Sequence, residues 1–488
     1  MIALDGTSLT PADVAAVARG REQVELTPGA RARNAATREA IAAHLARGGA
    51  LYGASTGVGA LRDRPIEDAE RGRFNWNLLR SHAVGAGPRV APEVVRAGMV
   101  VRANQLGAGG AGVVAELLDA LVQAINDGIA PVTHELGSLG TGDLPALADI
   151  ALALMGEGEV WRGERVEPAA LPVPRIDLGL RDALGFMSSN ALTLGQAALI
   201  KVDADALLSA WLAVAALSFE ALQADPVVLD PRVHAARGAP GQAAVARRVR
   251  ELLAGSGLEA HRPQRLVQDP YPFRVLPQVD GATFEALEGL DAVLVRELNA
   301  RSENALIEDG QALPNGNFHA AELAAALDAA RAALAQSASL IAARVSALLD
   351  PRMTGLTPFL AGDPGLDSGL MMLEYTAHAA AAEARSLAVS MAAQTVSVSL
   401  GVESHGSLAA TAARHAGRVV EMLRVLTATE LVITMRALTL AGLEPRGAGA
   451  RALFESARRA LPLELDDRRF GREVELAAAV LADWTWPG

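Results

Sequence analysis

The 488-residue chain has no cysteine and a single lysine, Lys201. Without cysteine there is no disulfide, thiolate nucleophile, iron–sulfur cluster or Cys-ligated zinc. With one lysine, Schiff-base chemistry would rest on one position, and nothing glycine-rich leads to it as a P-loop would. Aromatic residues make up only 3%, which disfavours a fold of aromatic and β-branched strands. Basic residues form no run or stripe, and the net charge is −12, so nucleic acid is not an expected partner. The start, Met1-Ile-Ala-Leu-Asp-Gly6, lacks the basic and apolar stretches of a signal peptide. The longest mainly apolar run, Ala206 to Phe219, is too short to span a bilayer. The expected location is the cytoplasm, with no membrane partner.

What is abundant is alanine and leucine, the residues that cost least in a helix, within a composition that is 51% hydrophobic and 20% charged. An all-α protein with a large core is therefore expected. Residues 1–199 carry short segments punctuated by Gly and Pro. Residues 200–488 carry long uninterrupted ones: His319 to Leu349, Leu370 to Leu400 and Ser407 to Leu440. At 1.5 Å per residue the first would make a helix of roughly 46 Å. Alanine on more than one face means such helices must be buried on most sides. The expectation is a mainly helical N-terminal globular domain, 1–199, followed by a long-helix bundle, 200–488, that also packs against other copies of the chain.

Several motifs carry candidate chemistry. Gly107-Ala-Gly-Gly-Ala-Gly112 matches a dinucleotide-binding pattern, but a turn follows its helix where a second strand is required, so it reads as a glycine-rich helix entry. Glu403-Ser-His405 offers two metal ligands and no third at helical spacing, so no metal is expected. Gly137-Ser-Leu-Gly140-Thr141-Gly142-Asp-Leu144 packs three glycines into six residues ahead of a helix. Such a loop suits an anion-binding turn or a cap. In a sufficiently tight X-Thr-Gly bend, the glycine nitrogen can also attack the carbonyl of X and form a dehydrated imidazolone.

Further blocks bear on that loop: Leu51-Tyr52-Gly-Ala-Ser-Thr-Gly-Val-Gly59, Asn77-Leu-Leu-Arg-Ser-His82, Gln268-Asp-Pro-Tyr271-Pro-Phe-Arg274, and Pro314-Asn-Gly-Asn-Phe318-His319. In this order, from Leu51 to Ser407, they resemble the histidine and phenylalanine ammonia-lyase family. That family uses a chain-derived electrophile, methylidene-imidazolone (MIO). The resemblance implies a helical homotetramer with active sites shared between subunits and an amino acid as substrate. It implies Tyr52 as base for the β-proton and Arg274 as clamp for the substrate carboxylate, a task suited to a guanidinium fork. Tyr271 and Gln268 match residues around the electrophile and amino group, Phe318 an aromatic beside it, and Glu403 the histidine branch's glutamate. His82 belongs to the Ser-His pair of that branch. The chemistry explains the electrophile: a phenol with an ordinary pKa of about 10 is too weak to take a barely acidic β-proton unaided.

The pattern breaks at the electrophile. Where the family reads Gly-Ser-Val-Gly-Ala-Ser-Gly-Asp-Leu, this chain is one residue shorter, and Thr141 replaces Ala-Ser. Ser188 stands where the family has an asparagine that holds the electrophile. Gly401-Val-Glu403-Ser-His405 replaces Asn-Gln-Glu-Asp-His. Asp367 and Glu374 replace amides. The expectation is a linear loop, no external cofactor and no normal MIO group. The enzyme would then be a lyase-type catalyst of elimination, isomerisation or cyclisation on an amino acid or analogue with a better leaving group or a more acidic proton. The alternatives are histidine-type deamination through an electrophile derived from Gly140-Thr141-Gly142, or a silent homologue that binds an amino acid.

Overall fold

The computed structural model describes residues 1–169, 176–258 and 267–486. The described residues are mainly helical, as the Ala- and Leu-rich composition leads one to expect, with short two- and three-stranded sheets between the helices. Contacts divide the chain into two compact units. The first comprises Met1–Val202, Leu290–Leu327 and Ser390–Arg414; the second comprises Asp203–Gly289, Asp328–Val389 and His415–Gly488. Two segments from beyond position 200 are thus part of the first unit.

The long helices are Ala191–Leu222, Leu276–Leu298, Ala321–Leu349 and Ala409–Ala441. The expected helix over 370–400 is shorter, Met371–Ser386. Beyond it, Thr395-Val-Ser-Val398 is β-branched and hydroxyl-rich, and Ser399 and Leu400 take left-handed φ of 53° and 56°. Absence of Gly and Pro does not suffice for a helix when the side chains disfavour one. The Gly107–Gly112 segment ends the helix Pro92–Ala108 and turns through positive φ at Gly109, Gly110 and Gly112 before the helix Ala115–Asn126.

Two segments, Asp182–Leu222 and Ala321–Leu349, are long and apolar enough to cross a bilayer. In each, 72% of the most apolar window is buried within the protein, the pattern of core helices.

In the second unit, Trp211 and Phe219 are fully buried, and Phe219 meets Phe273 edge-to-face with ring centroids 5.3 Å apart. A buried polar network lies in the same unit. Asp280 accepts from Ser337 Oγ at 2.7 Å, and Ser337 and Thr283 share a hydroxyl contact at 2.9 Å. Burial pushes the Asp280 carboxyl up to about 6, against the pull of the Arg344 charge. An acid whose folded-state pKa lies above its unfolded value stabilises most below the latter and loses that contribution as pH rises through the folded value. Asp280→Asn is therefore expected to match the parent near pH 4 and to exceed it above pH 6, by at most about 3 kcal/mol. Chemical denaturation across that pH range measures the difference.

Candidate active site

The glycine-rich loop is positioned by a strand pair, Ala86–Arg89 antiparallel to His134–Leu136, which feeds it, and by the helix Leu144–Leu154, which follows it. Gly137, Gly140 and Gly142 have φ of 147°, 82° and 118°. A side chain would strain the backbone at these positions, which accounts for the glycine spacing. Asp143 anchors the loop from below. Its carboxylate accepts from Ser138 Oγ at 2.6 Å, from Thr193 N at 2.7 Å and from Thr193 Oγ1 at 2.8 Å. Burial raises its carboxyl pKa, and these hydrogen bonds oppose the rise.

Three polar groups of the central tripeptide have partners from far along the chain. The Gly140 carbonyl accepts from Ala320 N at 3.0 Å and from Ser407 Oγ at 3.1 Å. Thr141 Oγ1 donates to Glu403 Oε2 at 3.1 Å, and Gly142 N donates to Asn190 Oδ1 at 3.1 Å. Asn190 Nδ2 in turn donates to the Phe318 carbonyl at 2.6 Å. A Cβ added at Gly140 would lie 2.0 Å from Ser407 Oγ. Gly140→Ala is thus expected to cost about 1–3 kcal/mol through overlap and strain, read as a lowered thermal midpoint.

Tyr52 reaches the same neighbourhood. Its phenol oxygen accepts from Gly59 N at 2.8 Å, which leaves the hydroxyl proton free for another acceptor. Gly59 abuts Ser399, whose neighbour Val398 pairs with Glu403 in a β-bridge. Tyr52, Thr141, Glu403 and Phe318 are thereby linked through the first unit. His82 ends the helix Arg71–His82, just before the strand pair that feeds the loop. Its Nδ1 lies 2.8 Å from the Leu78 carbonyl. A carbonyl only accepts, so Nδ1 carries hydrogen and Nε2 is left for other contacts. Ser188 is buried and caps the short helix Asp182–Met187.

Tyr271, Arg274 and Gln268 belong to the second unit. The Arg274 guanidinium lies 5.9 Å from the Tyr271 ring centroid, and Tyr271 is 68% exposed. Tyr271 borders an open apolar cavity of about 420 Å³, lined also by Val275, Val279, Ala332, Leu340 and Ala343. Asp367 and Glu374 have local partners in that unit: Asp363 N at 2.9 Å and Ser346 Oγ at 2.6 Å.

Sequence alone assigns no role to Asn190, Ser407, Ala320 or Asp143, although Asp143 belongs to the loop motif and Asn190 lies two residues after the lost family asparagine. Gly140-Thr141-Gly142 is a poor fit to the family's Ala-Ser-Gly precursor. The loop that carries it is one residue shorter, there is no room for a methyl at 140, and Gly142 N donates to Asn190.

A glycine-rich loop bonded to Glu403 and, through Asn190, to the Phe318 backbone, within a mainly helical scaffold, is the arrangement that the ammonia-lyase resemblance implies for a carbon–nitrogen lyase. The aromatic amino acid lyase family model matches residues 9–459. The chain belongs to that family. Histidine ammonia-lyase of Geobacillus thermodenitrificans is 37% identical over 99% of this chain and 97% of that protein. Among solved structures, the ergothioneine-degrading ergothionase of Treponema denticola, in complex with desmethyl-ergothioneine sulfonic acid, superposes with a TM-score of 0.93 at 28% identity, covering 99% of this chain and 98% of that one. Tyrosine aminomutase of Streptomyces globisporus gives 0.94 at 29% identity, covering 99% and 96%.

Proposed function

We propose that this lyase works without MIO and eliminates an amine from an amino acid or betaine analogue, with Tyr52 removing the β-proton. The observation that carries this reading is the shortened loop, with Thr141 bound to Glu403 and Gly142 N bound to Asn190. Forming the electrophile would have to expel the Gly140 carbonyl oxygen as one water on ring closure and the Thr141 hydroxyl as a second, and turn the Gly142 nitrogen away from Asn190. Without an electrophile, the substrate must supply its own leaving group. A quaternary nitrogen does so, because it departs as a neutral amine. Ergothioneine, which the Treponema enzyme degrades, is a betaine of this kind. His82, with Nε2 available, suits an imidazole-type side chain. Arg274 holds the carboxylate, with Tyr271 and Gln268 beside it. Those three come from neighbouring copies in a cytoplasmic homotetramer, and the exposed apolar surface at Tyr271 supports such packing.

The full-length likeness to a histidine ammonia-lyase favours a second reading, deamination through a Thr141-derived electrophile. Intact mass separates the two. The proposal expects the encoded mass, amine release from a histidine-derived betaine, and no ammonia from histidine. A chain lighter by two waters that releases ammonia from histidine overturns it.

A further inference from the structure

The carbonyls of Leu139 and Gly140 are gripped by two segments of the first unit. Ala320 N comes from one of them; Ser407 Oγ and Leu408 N come from the other, with Leu408 N 2.9 Å from the Leu139 carbonyl. These segments are tied to each other through imidazoles. His319 Nε2 lies 3.0 Å from His405 Nδ1 and 3.3 Å from the His405 carbonyl oxygen, with ring centroids 5.1 Å apart and planes tilted by 39°. The carbonyl decides the proton inventory. It only accepts, so the hydrogen sits on His319 Nε2 and forks between the two acceptors. His405 Nδ1 must then be bare, and its proton lies on Nε2. Protonating Nδ1 as well would set one N–H against another.

We infer that His319 and His405 are positioning residues: a donor–acceptor clasp that holds the grip on the 139–140 carbonyls and thereby presents Thr141 to Glu403. This rests on the reading of the loop as part of the reactive centre. Neither residue touches the tripeptide through its ring; each acts through the backbone next to it, at Ala320 and at Gly406–Leu408. Two imidazole nitrogens at this spacing also suit a shared metal ion. Among the described residues, however, no group of three or more His, Cys, Asp or Glu assembles around one.

The test uses hydrogen–deuterium exchange of the full chain, followed by mass spectrometry on peptides covering 138–144 and 318–322. Asparagine carries its Oδ1 where histidine carries Nδ1, and glutamine carries its Nε2 where histidine carries Nε2. His405→Asn and His319→Gln therefore keep the acceptor and the donor, whereas His405→Leu and His319→Leu remove them. The leucine variants are expected to speed exchange in both peptides about five- to tenfold, the effect of one lost hydrogen bond. The amide variants are expected to stay near the parent rate. Peptides from the second unit serve as the control for global destabilisation. Unchanged exchange in the leucine variants overturns the clasp, as does equal acceleration in amide and leucine variants, because ring volume rather than the hydrogen bond would then be at work. Exchange is read without turnover, so failure of the clasp and failure of the proposed elimination are separable outcomes.

Discussion

Tyr52→Phe is expected to lower kcat on the eliminated substrate by about 10²–10⁴-fold, the usual contribution of a positioned general base. The ring is retained and only the oxygen is lost, so the surrounding packing is undisturbed. One backbone donor, Gly59 N, loses its acceptor. That loss costs about 1 kcal/mol and separates a small thermal shift from a large kinetic one. A structural tyrosine would show the reverse, with turnover kept and stability reduced. Steady-state kinetics together with a thermal melt distinguish these patterns, and undiminished turnover removes Tyr52 from the mechanism.

The largest expected stability effect lies in the second unit. Arg344 Nε and Nη2 donate to Glu430 Oε1 and Oε2 at 2.7 and 2.9 Å, and both side chains are fully buried. Ser218 Oγ adds a third bond to Glu430 at 3.0 Å. Removing one partner strands the other charge in a medium that solvates it poorly. Glu430→Ala or Arg344→Ala is therefore expected to cost about 3–5 kcal/mol. Replacing both partners with apolar residues of similar volume is expected to cost far less, because no bare charge then remains. Apparent unfolding midpoints of the two single variants and the double variant form the cycle that tests this. A double variant as unstable as either single one would mean that packing, rather than the stranded charge, sets the cost.

Parts of the site could be read along the chain because they are local. Tyr52 stands in a glycine-rich turn, and Gly140 and Gly142 have positive φ, which their spacing ahead of a helix anticipates. The shortened loop is itself a covalent fact, visible without coordinates. What holds the loop is a different matter. Asn190 is 48 residues from Gly142, Glu403 is 262 from Thr141, and Ser407 is 267 from Gly140. Serine and asparagine are common surface residues, and nothing in a linear pattern marks the few that will donate to one particular carbonyl. The helix expected over 370–400 failed for a related reason. Absence of breakers suggests a helix throughout, while Ser390–Arg414 belongs to the first unit, where a helix starts only at Ala409.

The covalent chain by itself determined the helical class, through its alanine and leucine, and the family, through several ordered motifs. It also determined the one-residue deficit at Thr141. Only the tertiary structure decided which hydroxyls, amides and imidazoles surround that residue. Helix propensity is a property of each residue and its near neighbours, whereas a hydrogen bond across hundreds of residues exists only once packing has fixed both partners in place.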